Sequence, residues 1–322
     1  MGKWKIVSTA SYVPPLVITN EQLSNLMDTN DEWIRTRTGI STRHISQGQN
    51  TSDLAVQVAK KLLAQAHWTP ESVDLIIVAT MSPDSYTPST AAIVQGKLKA
   101  AHAVAFDVSA ACSGFVYALS IADGLMNNPA INHVLVIGSE VLSKIVNWQD
   151  RSTAVLFGDG AGGVAVAKST EAHLLGSHLS TFGDLSNQLV AGQTTAGHDF
   201  PKQVTGLTSF QMNGREVYRF ATHEVPNSIQ TALAEARIKP TQIDHFLLHQ
   251  ANARIISQVA KRLGQPMEKF PLNIDHYGNT SAASEPLLLD ECVRQGVVKR
   301  GSLIVLAGFG GGLTAGTMII RY

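Results

Sequence analysis

Leu63-Ala64-Gln65-Ala66-His67-Trp68-Thr69-Pro70-Glu71-Ser72-Val73-Asp74 returns 170 residues later as Leu233-Ala234-Glu235-Ala236-Arg237-Ile238-Lys239-Pro240-Thr241-Gln242-Ile243-Asp244. In both copies a helical pattern ends before a proline and an apolar, strand-like run follows the aspartate. The same offset lays Val134-Leu135-Val136-Ile137-Gly138 over Ile304-Val305-Leu306-Ala307-Gly308, and an offset of 172 brings Ser109-Ala110-Ala111-Cys112 onto Ser281-Ala282-Ala283-Ser284. Each match alone is weak, but their order and near-constant spacing point to duplication of an α/β unit. The join is placed near Ser169–His173, giving halves 1–171 and 172–322. Two similar halves about a pseudo-twofold axis bring corresponding strand ends to a shared cleft. Functional residues are then expected from matching turns.

Working outward, Lys3 to Ala10 reads as an opening strand closed by Pro14-Pro15, and Thr19-Asn20 as the cap of a helix from about Glu21 to Met27. Helices are expected near Thr51 to His67 and Ser89 to Lys99, with the apolar run Val73 to Met81 between them. Then comes Asp107-Val108-Ser109-Ala110-Ala111-Cys112-Ser113-Gly114-Phe115, with an apolar run before it and a helical pattern after it. Cys112 therefore sits where a strand becomes a helix, among residues too small to shield it. Free N–H groups and the macrodipole at a helix start favour a thiolate, as a nucleophile needs. The competing reading is a small buried residue in an Ala-rich helix. Only the first copy carries a cysteine here; at the 172 offset Ser284 takes its place.

The totals narrow the function classes. The chain of 322 residues has 44% hydrophobic content and 26 glycines, which fits an α/β protein with many tight turns. Its 25 basic and 25 acidic residues balance, so broad attraction to nucleic acid or an anionic membrane is not expected, although a local basic patch is compatible. The two cysteines, Cys112 and Cys292, form no Cys-x-x-Cys pair, so neither a disulfide framework nor a thiolate metal site is indicated. Met1-Gly2-Lys3-Trp4-Lys5-Ile6 lacks a signal-peptide core and a myristoylation pattern, and no apolar run approaches membrane-spanning length. A cytoplasmic protein is expected.

A cysteine nucleophile needs partners that manage protons or charge. His249 ends the strand-like run Asp244–Leu248, so its imidazole is expected at a strand end, either as a reacting group or as a satisfied structural histidine. Asn279, in Tyr277-Gly278-Asn279-Thr280-Ser281-Ala282-Ala283-Ser284, reads either as an Asx cap or as an amide donor for a developing oxyanion. Gly158-Asp159-Gly160-Ala161-Gly162-Gly163 formally fits G-x-G-x-x-G but precedes a strand, so no dinucleotide site is read there. Gly308-Phe309-Gly310-Gly311-Gly312 follows a strand and lacks the Lys-Ser/Thr of a phosphate loop. It is either a flexible turn or a place where backbone N–H groups approach a reacting carbonyl.

Together these stretches closely resemble β-ketoacyl-acyl-carrier-protein synthase III, the initiating condensing enzyme of bacterial fatty-acid synthesis. The resemblance spans nearly the whole chain. It includes Asp31-Glu32-Trp33-Ile34, Thr36-Arg37-Thr38-Gly39-Ile40, the Ala-Cys-x-Gly-Phe turn, Phe157-Gly158-Asp159-Gly160-Ala161-Gly162, His249-Gln250-Ala251-Asn252, Gly278 to Ser284, and Phe309 to Gly312. It implies a thiolase-like α/β fold layered α-β-α-β-α, no cofactor or metal, and a homodimer working on acyl-CoA and acyl carrier protein. It also implies a Cys112–His249–Asn279 triad, an oxyanion hole from the N–H groups of Cys112 and Gly311, and a pocket shaped by Phe309. By the same resemblance Trp33 and Arg151 sandwich the CoA adenine, Arg37 lies near the nucleotide and Asn252 near the pantetheine channel. Arg254, with Arg219, Lys261 and Arg262, is expected to receive the acidic carrier protein. A half-buried core aromatic is the other reading of Trp33, and a solvated helix face that of the last three cations.

Two positions bear on substrate. Thr87 stands where some relatives have Phe, a gate reaching into the partner subunit's acyl pocket, so primers larger than acetyl are expected. Glu285 stands where relatives usually carry an apolar residue, and a carboxylate near the cleft disturbs pKa values. The competing functions are a polyketide-type or 3-hydroxy-3-methylglutaryl-CoA synthase, a cysteine hydrolase, and a silent acyl-CoA or carrier-protein binding module.

Overall fold

The computed structural model describes residues 2–194 and 208–322. The first half runs β1 (Trp4–Tyr12), β2 (Leu16–Thr19), α1 (Asn20–Ser24), α2 (Asp31–Thr38), β3 (Thr42–Ile45), α3 (Thr51–Ala66), β4 (Leu75–Ala79), α4 (Thr90–Leu98), β5 (Val104–Val108), α5 (Gly114–Leu125), β6 (His133–Glu140), α6 (Arg151–Ala154) and β7 (Gly160–Lys168). After Ser169–His173 come β8 (Leu174–Thr181), β9 (Leu189–Val190), β10 (Gln211–Met212), α7 (Gly214–Ala236), β11 (His245–Leu248), α8 (Ala253–Leu263), α9 (Ile274–Tyr277), α10 (Ser284–Arg294), β12 (Leu303–Gly310) and β13 (Thr314–Arg321).

Two sheets form, ordered β1-β7-β6-β4-β5 and β11-β12-β13-β8. Helices α5 and α10 lie between them, α5 touching β4, β6, β12 and β13, and α10 touching β1, β7, β11 and β12. Residues 284–290 of α10 are all buried, whereas α5 is buried over its first half and reaches the surface at Ile121, Gly124 and Leu125. Helices α3 and α4 cover the outer face of the first sheet, and α7 and α8 that of the second. The layering is therefore α-β-α-β-α, as expected. The main apolar core runs through the central layer, joining Phe115, Val116 and Leu119 to Leu288, Leu289, Ile304 and Met318.

The opening repeat has a physical cause in both halves. Helices α3 and α7 end at His67 and Arg237, both left-handed with φ 56° and ψ 38°. A single helical turn then starts at each proline, Pro70–Ser72 and Pro240–Gln242. Asp74 accepts from the His133 N–H at 3.0 Å, and Asp244 from the Leu303 N–H at 2.8 Å. Each aspartate thus ties the entry of one parallel strand to the start of its neighbour, β4 to β6 and β11 to β12.

The structure corrects one register. The residues held at positive φ in the two central turns are Ala111 (45°) and Ser281 (49°), which sets the offset there at 170. Cys112 therefore corresponds to Ala282, and not Ser284 to Cys112; Ser284 matches Gly114, and Glu285 matches Phe115. The match at 172 is a coincidence of Ser/Ala composition, whereas backbone conformation fixes the true register. Packing agrees. A Cβ on Gly138 would overlap the Ala282 carbonyl oxygen, and one on Gly308 would lie 3.1 Å from the Cys112 carbonyl oxygen. Each turn is wedged against a glycine of the opposite sheet.

Candidate active site

Cys112 lies in the turn Ala111–Ser113 that leads into α5, and it is 5% exposed. The start of a helix pulls its pKa down, but burial acts the other way and wins, pushing the thiol up to about 12, with the Glu140 and Glu285 carboxyls adding to the rise. Burial thus favours the thiol form of Cys112, opposite to the pull of the helix terminus. The turn is held from behind by β12: a Cβ on Gly310 would lie 2.6 Å from the Cys112 nitrogen. Only glycine lets this strand approach the cysteine so closely. Gly311 follows in the β12–β13 turn, where a Cβ would lie 3.5 Å from that of Ala111.

His249 comes from the neighbouring strand end. It follows β11, its N–H donates to the Ala307 carbonyl of β12 at 2.8 Å, and it is buried. Burial lowers its pKa to about 3, so the ring is neutral. Its Nδ1 has no hydrogen-bond partner among the described residues. The ring meets Phe309 edge-on, with centroids 5.2 Å apart, so Phe309 sets the imidazole's tilt.

Asn279 precedes the second central turn. Its N–H donates to Leu156 at 2.8 Å, its carbonyl accepts from Gly158 at 3.0 Å, and its Oδ1 accepts from the Ser281 N–H at 2.8 Å. The Asx turn and the amide donor are therefore not alternatives. Fixing Oδ1 in the turn orients the side-chain NH2, which makes no hydrogen bond among the described residues. Cys112 and His249 thus lie against β12, and Asn279 stands two residues before the turn Ser281–Ala283 that packs on the cysteine turn.

Beside the cysteine turn is a cavity of about 540 Å³ lined by Met81, Ala110, Ala111, Leu189, Phe210 and Gly311, among others. Thr87 is not part of this lining. It sits on the exposed loop between β4 and α4, next to Tyr86, which is 77% exposed.

Trp33 on α2 carries two guanidinium groups over its ring, Arg37 at 4.7 Å and Arg151 at 5.5 Å from the centroid. Arg151 is also held by the Asp28 carbonyl and carboxylate, at 2.6 and 3.0 Å. Asn252 caps α8 through the Arg254 N–H (2.8 Å) and donates to the Arg37 carbonyl (3.0 Å). Both ends of its amide thus join α8 to α2, a structural task that the resemblance did not suggest. Arg254, Arg219, Lys261 and Arg262 are exposed. Arg219 and Arg262 share a cleft with Glu216 and Glu224, so this surface is mixed in sign.

Sequence reasoning missed two residues beside the cysteine. Glu140, at the end of β6, is buried and accepts hydrogen bonds from Thr80, Met81 and Ser82. Ser281 is buried in the second central turn, which packs on the cysteine turn, and its Oγ has no hydrogen-bond partner among the described residues. The signal available was the correspondence of Glu140 with Gly310 and of Ser281 with Ala111, which places both on the shared axis.

A duplicated α/β chain with two central helices between its sheets, and a cysteine at the head of one, has the thiolase fold of the condensing enzymes. Two family models match, one described as 3-Oxoacyl-[acyl-carrier-protein (ACP)] synthase III over residues 106–183 and the other as its C terminal part over residues 233–322. The chain is 60% identical to the beta-ketoacyl-[acyl-carrier-protein] synthase III of Limosilactobacillus reuteri, with 100% of both chains covered. It is 57% identical to that of Lactobacillus delbrueckii subsp. bulgaricus, with 98% of each covered. The crystal structure of 3-oxoacyl-[acyl-carrier-protein] synthase III from Aquifex aeolicus superposes with a TM-score of 0.92 at 44% identity, covering 99% of this chain and 100% of that one. The chain belongs to the β-ketoacyl-[acyl-carrier-protein] synthase III family, and its role is that of a condensing acyltransferase of fatty-acid synthesis.

Proposed function

We propose that the chain joins an acyl-CoA primer to malonyl-acyl carrier protein by decarboxylative Claisen condensation, with Cys112 as the acyl carrier and His249 and Asn279 as the enolate's hydrogen-bond donors. The observation that carries this reading is a neutral, buried imidazole beside the strand that backs the cysteine, together with an amide whose Oδ1 is already engaged next to the turn that packs on the cysteine turn. Cys112 takes the acyl group from CoA. Malonyl thioester then loses CO2, and its enolate places negative charge on oxygen. Two neutral donors aimed at that oxygen stabilise it, each worth roughly 3–4 kcal/mol at the barrier. The enolate carbon attacks the acyl-cysteine, and the N–H groups of Cys112 and Gly311 hold the tetrahedral oxyanion.

In this reading Trp33 and Arg151 open to receive the adenine, and Arg37 faces the nucleotide phosphates. Arg254, with Arg219, Lys261 and Arg262, receives the carrier protein. A homodimer is supported by β5, an edge strand with Val104 59% exposed, and by the exposed Tyr86-Thr87 loop. Thr87 then lies toward the partner's pocket and leaves room for primers longer than acetyl.

The test uses labelled acyl-CoAs of varied length, with and without malonyl-acyl carrier protein. Acyl-Cys112 formation followed by 3-oxoacyl-acyl carrier protein is expected. No acylation by any acyl-CoA overturns the nucleophile, acylation with water as sole acceptor indicates a hydrolase, and use of another extender indicates a related condensing enzyme.

A further inference from the structure

We propose that Asp159 is a positioning residue for the condensation: its carboxylate anchors the segment on which the backbone of Asn279 rests, and so aims the Asn279 amide. This rests on the condensing reading given above and adds a residue that reading does not use.

Asp159 lies in the glycine-rich stretch that opens β7, where the sequence offers no dinucleotide site. Just before it, Phe157 pairs with Asn279 as an isolated parallel bridge. The Asn279 N–H donates to the Leu156 carbonyl at 2.8 Å, and the Gly158 N–H donates to the Asn279 carbonyl at 3.0 Å. Both backbone polar groups of Asn279 therefore end on this one segment. Glycine at 158 permits the approach, because a Cβ there would overlap the Tyr277 carbonyl oxygen. The Asn279 side chain has a tie of its own, from the Ser281 N–H to Oδ1 at 2.8 Å. With Oδ1 fixed, the direction of the NH2 follows from where the segment holds the Asn279 backbone.

A lone bridge outside both large sheets holds little by itself, and Asp159 supplies the anchor. The residue is 0% exposed, and its N–H donates to the His44 carbonyl of β3 at 2.8 Å. Its Oδ1 accepts from the Ser143 N–H at 2.9 Å. Its Oδ2 accepts from the Ser46 N–H at 2.7 Å and from the Ser143 hydroxyl at 2.6 Å. One buried carboxylate thus ties the chain after β3 and the turn after β6 to the segment that carries Asn279, through charge-assisted and directional bonds. An amide cannot replace it. In either orientation an asparagine would turn its NH2 toward the Ser143 N–H or the Ser46 N–H, donor against donor. Cys112 and His249 are seated elsewhere, on Gly308 and Gly310 and on Ala307 of β12. Loosening Asp159 therefore displaces the amide and leaves the nucleophile in place.

Two half-reactions of the full chain test this: acylation of Cys112 by labelled acyl-CoA, and CO2 release from malonyl-acyl carrier protein. Asp159→Asn is expected to slow CO2 release about tenfold, with acylation and the KM for malonyl-acyl carrier protein unchanged. Repeating the substitution in an Asn279→Ala background gives a readout that a merely structural role would not move. There it is expected to add no further loss, since its effect passes through an amide that is gone. Where Asp159→Asn does not fold, Ser143→Ala decides. It removes one hydroxyl donor, keeps both N–H donors, and is expected to slow CO2 release about threefold, again only while Asn279 is present. Unchanged CO2 release, equal slowing of both half-reactions, or the same loss with and without Asn279 overturns the proposal. Failure of the condensing reading looks different: the wild-type chain then releases no CO2, or Asn279→Ala leaves that release untouched.

Discussion

Replacing Glu285 with leucine probes the most anomalous group in the central layer. The residue lies in the first turn of α10, is 0% exposed, and neither carboxyl oxygen has a hydrogen-bond partner among the described residues. Its Oε1 lies against Gly308 and the Cys112–Ser113 backbone, in space that a Cβ on Gly308 would need. An unpaired buried polar group costs about 1–3 kcal/mol by protein mutational data, and leucine fills a similar volume without that cost. Burial also raises the Glu285 pKa well above 4.5, so the folded state binds a proton that the unfolded chain releases. The sign follows: the contribution is complete below pH 4.5 and is lost as pH rises toward the folded-state pKa, by at most about 1.4 kcal/mol per pH unit. Glu140 adds its own slope up to about pH 7, but in both proteins, so it cancels in the difference. The expected outcome is a Glu285→Leu protein about 2 kcal/mol more stable at pH 5, with a lead that widens toward pH 8. Reversible urea unfolding at fixed protein concentration measures it. A variant no more stable than wild type, or a lead that does not grow with pH, refutes the reasoning.

His249→Ala or Asn279→Ala should slow malonyl decarboxylation by about 10²–10³-fold while affecting acyl transfer to Cys112 much less, as separate half-reaction assays would register; equal loss of both steps speaks against the assigned roles. Gly138→Ala should cost at least about 3 kcal/mol or prevent folding, because the Ala282 carbonyl occupying that space is backbone. Trp33→Ala should raise KM for acyl-CoA about tenfold with little change in kcat, the mark of lost uniform binding. Stepwise loss of longer primers is expected for Thr87→Phe in a chain-length series, and an unchanged series removes the gate.

The architecture was largely readable in advance because its determinants are local. A left-handed helix end, a proline turn and an aspartate that clamps two strands all leave marks within twelve residues, and they recur at one offset. The cysteine turn was readable too, since a strand followed by small residues and a helical pattern admits few geometries. Its partner was placed two residues out of register, because composition resembles itself at several offsets while positive φ at Ala111 and Ser281 does not show in the letters. The balance of forces on the Cys112 proton is hidden in the sequence for a similar reason. A helix start is visible in sequence, whereas enclosure by the opposite half is not, and enclosure wins. Glu140 and Ser281 look like ordinary strand-end and turn residues until the two halves are put together. Asn252 shows the reverse, a motif residue whose amide is occupied in joining two helices.

The reciprocal wedging of the two central turns has a mechanical consequence. Gly138 seats the Ala282 turn and Gly308 seats the Cys112 turn, each against backbone. Opening the molecule like a book along its midline would unseat both at once and part Cys112 from the turn that follows Asn279. Both seats therefore resist hinge opening of one sheet layer against the other. In the proposed reading, entry and exit of a long thioester fall to the peripheral segments, the loop carrying Tyr86 and Thr87 and the α2–α6 face around Trp33. Changes of substrate range can accumulate there while the catalytic clamp stays still.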